Sequence, residues 1–228
     1  MATRIHKESL DFLTDLAQNN NREWFNRNKD RYVEANNNMI AFADALLAEM
    51  NKHDRIENAS GKKSLYRIYR DVRFSRDKSP YHTCWDGHLH RATKQLRGGY
   101  YFHIEPGRSS ADGGFFGPVP DDLKRIRQDI DANYEEWQGL LREKTFVQTF
   151  GKLQGQQLKL MPKGYPVTHP AIDLLRHKQF ILRHSFTDTE VLGPNFVYLL
   201  SDTYKAMRPF FDYMSEVLTT DGNGESLF

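Results

Sequence analysis

Apolar residues recur at helical spacing through the first fifty positions of the chain. They predict one amphipathic helix over Ile5–Ala17 and a longer helical region from Arg22 to Lys52. Asn20, with Glu23 three residues later, has the pattern of a capping box at the start of the second region. The asparagine run 36–38 is where that region is expected to divide into two helices.

The pattern changes to that of strands after about residue 65. The segment LYRIYRDVRF from Leu65 is rich in aromatic and β-branched residues, which favour a strand. Two further strands are predicted over Trp85–Arg91 and Gly99–Pro106, joined by a polar loop at 94–98. Gly113–Gly117 is predicted as a short fourth strand.

The second half of the chain returns to helical spacing with one more strand. Helices are predicted from Asp121 or Asp122 to Phe150, over Ala171–Arg176 and over Asn195–Leu218, with a strand over Gln179–Phe186. Helices thus flank a central group of strands, which favours an α+β fold with a mostly antiparallel central sheet between N-terminal and C-terminal helices. One domain over 1–228 is predicted, ordered over about 5–218, with a frayed tail at 219–228.

Charge is distributed unevenly along this chain. The formal net charge is only +2, which argues against a general nucleic-acid binder. Between Lys62 and His82, however, seven Lys or Arg face two Asp, a local charge of +5. Cys84 is the single cysteine, which excludes an internal disulfide and suits a reducing compartment. No apolar run is long enough for a membrane span, so a cytoplasmic location is predicted.

The basic segment RFSRDKSPYHT, Arg73 to Thr83, is the first candidate for chemistry. Guanidinium groups match phosphate and carboxylate oxygens with paired hydrogen bonds, and Pro80 stiffens the turn. The predicted ligand-binding residues of this site are Arg67, Arg73, Arg76, Lys78, Tyr81 and Tyr101. Arginines at every third position do not share one face of a strand, so a solvated, salt-bridged loop is the competing interpretation.

The second candidate is the wet face of the predicted hairpin. Pairing through a loop centred near Gln95 would place His88 beside His103, and His90 beside Tyr101. His88 and His103 are therefore the candidates for a general base, with Asp86 or Glu105 orienting them, and His88, His90 and His103 are the candidates for metal ligands. A polar sheet face without metal stays the alternative, because a slip in register would change every pair.

Four segments in this order carry a family resemblance: NNNREWF at 19–25, RFSRDKSPYHT at 73–83, GGYYFHIEP at 98–106 and HPAIDLLRHKQF at 169–180. With them the chain resembles the bacterial family known as domain of unknown function 2461, from about Leu10 to Met214. The resemblance implies one compact α+β domain. It implies no catalytic residues, since none are established for that family.

The sequence therefore predicts binding of an anionic small molecule, bearing phosphate or carboxylate, at the basic loop beside the polar sheet face. One alternative is a metal-assisted or His-assisted hydrolase of phosphoesters. Another is an interaction protein that docks an acidic partner. No cofactor, no membrane and no nucleic-acid partner is predicted, and the sequence decides neither the oligomeric state nor whether the chain is an enzyme.

Overall fold

A computed structural model describes residues 3–221 and 225–227, and its elements follow the predicted order of helices, strands and helices. The strands are β1 Trp85–His90, β2 Gly99–Ile104, β3 Ser109–Phe115 and β4 Phe180–Phe186. The helices are α1 Lys7–Gln18, α2 Arg22–Arg27, α3 Lys29–Met50, α4 Gly61–Ser64, α5 Pro120–Ala132, α6 Tyr134–Arg142, α7 Lys144–Phe150, α8 Ile172–Leu175, α9 Asp188–Val191 and α10 Phe196–Thr219. The α+β class is confirmed.

The four strands form one antiparallel sheet in the order β1-β2-β3-β4. The predicted hairpin β1–β2 is therefore present, and the polar loop lies between the two strands. β3 begins at Ser109, earlier than the predicted Gly113, because the turn after β2 is short. None of the helices in the described part of the chain is long and apolar enough to cross a bilayer.

The start of the second helical region differs from the predicted capping box. The N-cap of α2 is Asn21, whose side chain accepts a hydrogen bond from the backbone N–H of Trp24. Asn20 instead bonds the backbone of Tyr81, donating to its carbonyl at 2.9 Å and accepting from its N–H at 3.1 Å. The region divides at Asn28, not at the asparagine run 36–38, which lies inside α3.

The predicted strand from Leu65 is wrong. In this segment only isolated antiparallel bridges form, from Leu65 to Gly87 and from Tyr69 to Tyr81. The chain reverses direction between residues 70 and 80, where the backbone N–H of Arg70 donates to the carbonyl of Pro80 at 2.9 Å. The segment is therefore an extended loop that pairs at isolated positions, and it does not form a continuous strand.

The chain divides into two compact units. The first comprises Met1–His90, Tyr100–Ala111 and Ser185–Asp202. Aromatic rings fill its core, and several of them pack side by side within about 6 Å: Phe12, Phe25, Tyr32, Tyr81 and Trp85. Such burial removes a large apolar area from water and fixes the segments that carry the polar face of β1 and β2.

The second unit comprises Arg91–Gly99, Asp112–His184 and Thr203–Phe228. Its aromatic core includes Trp137, which lies 6.1 Å from Phe180 and 6.2 Å from Phe210 between ring centroids. The predicted tail includes a bridge between Thr220 and Ser226, while residues 222–224 and 228 lie outside the described residues. One domain over the whole chain stays a prediction.

Candidate functional site

The basic loop, residues 67–78, uses much of its charge to hold its own conformation. Arg73 is exposed, and its Nε and Nη2 donate to the carboxylate of Asp71 at 3.0 and 2.6 Å. Lys78 donates from Nζ to the carbonyls of Val72 and Arg73 at 2.9 and 3.4 Å. These are local contacts within a turn, so the loop does not present these two heads as a shared receptor.

Arg70 belongs to the same loop, but unlike Arg73 and Lys78 it lines a cleft. Its Nη1 donates to Asp77 Oδ2 at 2.6 Å and to the carbonyl of Ser79 at 3.0 Å. Hydrogen bonds from the Ser79 hydroxyl and N–H, followed by the bond from Arg70, hold the pKa of Asp77 well below its usual range. The guanidinium of Arg70 is thereby fixed at the mouth of a cleft.

This cleft lies in the first unit and has a volume of about 560 Å³. Its walls come from the end of α1, the segment 77–84, and the turn between β2 and β3. The lining residues are Ala17, Asn20, Arg70, Asp77, Ser79, Tyr81, His82, Thr83, Cys84, His103, Glu105 and Arg108. Polar and charged side chains predominate among them.

A chain of hydrogen bonds runs along one side of the cleft. Cys84 Sγ donates to Asp86 Oδ2 at 3.1 Å, and Asp86 Oδ1 lies 2.6 Å from His103 Nδ1. His103 Nε2 lies 2.9 Å from Glu105 Oε2. Arg108 completes the chain, because its Nη2 donates to Glu105 Oε1 at 2.6 Å. We call these five residues the cleft chain.

Strand alternation and one close packing contact produce this arrangement. Asp86 is on the wet face of β1 and His103 is on the wet face of β2, and Glu105, one residue beyond the end of β2, continues the same alternation. Gly87 lies between, where the Phe102 ring occupies the space that a Cβ would need. The backbone of β1 and the ring of Phe102 therefore fix the pairing of the two strands.

The observed register differs from the predicted one by two residues along the hairpin. His88 stacks on Tyr101, with ring centroids 5.0 Å apart, and His103 bonds Asp86. The predicted contacts of His88 with His103, and of His90 with Tyr101, were therefore wrong. A shift of two keeps every side chain on its predicted face, so the face was predicted correctly while the partners were not.

The histidines predicted as metal ligands are divided between two places. His88 Nε2 lies 3.0 Å from His90 Nδ1, and the His88 ring is stacked between Tyr66 and Tyr101. Burial, with a smaller contribution from His90, lowers the pKa of His88 to about 4. Throughout residues 3–221 and 225–227, the group of three potential metal donors within reach of one another is Cys84, Asp86 and His103.

Electrostatic effects along the cleft chain have clear causes. The hydrogen bond that His103 donates to Asp86 raises the pKa of His103, burial opposes this rise, and Glu105 adds to it. Burial alone would raise the pKa of Asp86, but hydrogen bonds from His103 and Cys84 outweigh it and lower that pKa. Burial, followed by the charge of Asp86, raises the pKa of the Cys84 thiol far above its usual value. A free thiolate nucleophile is therefore disfavoured in the metal-free chain.

Most of the predicted ligand-binding residues lie outside the cleft. Tyr81 lines it, although the ring is buried and stacks on Phe25 at 4.0 Å between centroids. The lining does not include Tyr101 or the basic-loop residues Arg67, Arg73, Arg76 and Lys78. Residues 65–70 do run beside the segment that leads into β1, with bridges from Leu65 to Gly87 and from Tyr69 to Tyr81, but the four basic side chains do not line this cleft.

Sequence reasoning gave Cys84 and Arg108 no place in a ligand or metal site. The alternation that selected Asp86 and His103 continues one step back to Cys84 and one step on to Glu105. That period-two run was the available signal for the thiol. Arg108 follows Glu105 by three residues in the turn before β3, and strand periodicity carries no information about a turn.

Comparison with family models gives one match. A model described as "Conserved hypothetical protein (DUF2461)" matches residues 8–213. The chain belongs to the DUF2461 family. The predicted resemblance is thereby confirmed. Comparisons with curated proteins and with solved structures both find no match.

The site in this DUF2461 chain combines two kinds of chemistry. Arg70 and Arg108 supply guanidinium groups at the cleft, and Cys84, Asp86 and His103 supply sulfur, oxygen and nitrogen donors beside them. Guanidinium groups recognise anions, while this mixed donor set is of the type that binds transition metals.

Proposed function

We propose that this DUF2461 protein binds an anionic small molecule, bearing phosphate or carboxylate, in the cleft beside the cleft chain. Arg70 and Arg108 are the groups that hold the anion. The observation that carries the proposal is the unused half of each guanidinium group. Arg70 uses only Nη1 and Arg108 only Nη2 in hydrogen bonds to described residues, so each keeps Nε and one further Nη for a ligand.

Size and hydrogen-bonding capacity support the same proposal. A volume of about 560 Å³ lies within the usual range for small-molecule sites, roughly 300–1,000 Å³. The Thr83 hydroxyl lines the cleft and makes no hydrogen bond to any described residue, so it offers the anion a further donor. Asp77 and Glu105 each hold one edge of a guanidinium group, which orients the free edge and reduces the entropy lost on binding.

Hydrolysis of a phosphoester is the second candidate function. The observation that favours it is the position of Cys84 and His103 in the wall of the same cleft, with Asp86 within hydrogen-bond distance of both. Cys84, Asp86 and His103 would hold a metal ion beside an anion held by the guanidinium groups, and such an ion would supply polarisation of a phosphoryl oxygen or activation of water. We also propose the cytoplasm as the compartment, because a single cysteine forms no internal disulfide.

The anion proposal is tested by titrating untagged protein in buffer containing EDTA with inorganic phosphate, phosphate monoesters and dicarboxylates. Arg108→Gln should weaken binding by about 10-fold to 100-fold, because charge-assisted hydrogen bonds are lost. Arg73→Gln is the matched control: like Arg108, Arg73 is exposed and donates to one nearby carboxylate at 2.6 Å, but it lies outside the cleft.

Two outcomes of this titration would contradict the proposal. In the first, no member of the panel binds the unmodified protein. In the second, Arg73→Gln abolishes binding while Arg108→Gln leaves it intact, which would return the site to the basic loop and favour docking of an acidic partner.

A further inference from the structure

We propose that Cys84, Asp86 and His103 form a binding site for one divalent transition-metal ion, with Zn²⁺ the ion that suits their donors best. A thiolate, a carboxylate and an imidazole are all common zinc ligands, and three protein ligands leave a fourth position for water or substrate. This inference does not depend on the anion proposal, although a metal there would adjoin the proposed anion site.

Distances between the donor atoms support the proposal. One atom from each of the three side chains lies within 4.8 Å of the other two. Ordinary zinc bonds in a tetrahedral arrangement separate neighbouring donors by about 3.3–3.6 Å. Cys84 Sγ lies 3.1 Å from Asp86 Oδ2, and His103 Nδ1 lies 2.6 Å from Asp86 Oδ1, so these two pairs, which involve different carboxylate oxygens, need to open by less than about 1 Å to admit an ion. Side-chain torsions suffice for such a movement.

The other nitrogen of His103 has the environment that metal-bound histidines have. Its Nε2 lies 2.9 Å from Glu105 Oε2, and a carboxylate at that position fixes the ring with Nδ1 directed at the metal. Arg108 holds Glu105 in turn, at 2.6 Å. The imidazole is thus oriented by a partner that is separate from the three proposed ligands.

The scaffold and the access route also suit a metal that takes part in chemistry. Asp86 and His103 are on adjacent strands, where the backbone limits their movement, and Cys84 precedes β1 by one residue. The side chains of Asp86 and His103 are about one-third exposed, at 31% and 32%. Cys84 and His103 line the cleft, so the fourth position of the ion opens to the space where a ligand would enter.

His88 and His90 provide the alternative within the same hairpin. Their facing nitrogens are 3.0 Å apart, and no third donor joins them among the described residues. Two ligands hold a metal less tightly than three, so the structure favours the cysteine-containing group. The test must nevertheless separate the two places.

Untagged protein stripped with EDTA and dialysed free of the chelator is titrated with Zn²⁺ by calorimetry and with Co²⁺ by absorption spectroscopy. We expect one ion per chain. The cobalt form should show a thiolate-to-cobalt charge-transfer band in the near ultraviolet, because the single cysteine of the chain is a ligand. Cys84→Ser should abolish the band, and His103→Gln should weaken zinc binding by more than about 100-fold.

Glu105→Gln and His90→Gln make the test specific. Loss of the carboxylate that orients His103 should weaken zinc binding by about 10-fold to 100-fold, while His90→Gln should leave it unchanged. Circular dichroism checks that each variant is folded. Protection of Cys84 from alkylation by Zn²⁺ in the unmodified protein gives a further readout that needs no variant.

Failure to bind one ion per chain, a cobalt complex without the thiolate band, or loss of binding on His90→Gln but not on His103→Gln would each overturn the inference. Phosphate binding is measured separately in EDTA. A chain that binds phosphate through Arg108 but no metal therefore refutes only the metal site, and a chain that binds zinc but no anion refutes only the anion proposal.

Discussion

The basic loop and the cleft chain each contain an exposed arginine paired with a carboxylate at 2.6 Å, yet the two pairs differ in what lies behind them. Arg73 bonds Asp71, two residues away in the same loop, and both side chains are exposed at 77% and 47%. Arg108 bonds Glu105, which is only 13% exposed and itself contacts His103. The first pair ends at the surface, whereas the second continues inward through three further side chains, His103, Asp86 and Cys84.

This difference teaches that a high density of charge along the chain does not by itself produce a site. The basic loop has the larger local charge, but contacts with its own carboxylates and carbonyls stabilise its turn. In the cleft chain, residues distant in sequence are brought together by two neighbouring strands. Long-range convergence, and not local charge, is therefore the basis of the proposed site.

Of the changes that test this comparison, a substitution that disturbs the register of β1 and β2 should have the largest effect on stability and on zinc binding. A side chain at Gly87 would enter the space of the Phe102 ring, so Gly87→Val should lower the free energy of unfolding by about 3 kcal/mol. Because Asp86 adjoins Gly87, zinc binding at the cleft chain should be lost as well. Urea unfolding and calorimetry measure the two effects.

Gly139→Ala is the control for that variant. Gly139 is exposed inside α6 with open space around it, so alanine should stabilise the helix by up to about 1 kcal/mol. If Gly87→Val instead unfolds within about 0.5 kcal/mol of the unmodified chain and keeps its zinc, the close contact does not set the register.

The features that could be predicted from the sequence are those set by local patterns, and the features that could not are set by contacts between distant residues. The period-two pattern placed Asp86, His88 and His103 on one wet face, and helical spacing located α1 and α10, because both signals are local. The register of the hairpin was not predictable, since it depends on the fit of Phe102 against Gly87. The predicted strand over 65–74 was wrong, because its β-rich composition is typical of a strand, whereas the segment forms only isolated bridges and the chain reverses between residues 70 and 80.

Loosening the basic loop should produce a small and local effect. Lys78 donates to the carbonyls of Val72 and Arg73, so Lys78→Met should open the turn and speed chymotryptic cleavage after Phe74, which is 95% exposed, by several-fold. Mass spectrometry identifies the cut. Zinc and phosphate binding should stay unchanged.

Lys62→Met serves as the control, because Lys62 is exposed at the end of the same charged segment and makes no hydrogen bond to any described residue. It should leave the cleavage rate as it is. A loss of phosphate affinity on Lys78→Met, with Lys62→Met unchanged, would show that the basic loop contributes to the ligand site after all.

Anomalous diffraction at the zinc absorption edge, from crystals of the untagged protein grown with Zn²⁺, tests the central claim most directly. The account predicts one strong peak within bonding distance of Cys84 Sγ, the Asp86 carboxylate and His103 Nδ1, with the fourth position open to the cleft. A peak between His88 and His90 instead, or a thiol–carboxylate–imidazole chain that stays closed with no metal in it, would contradict the account.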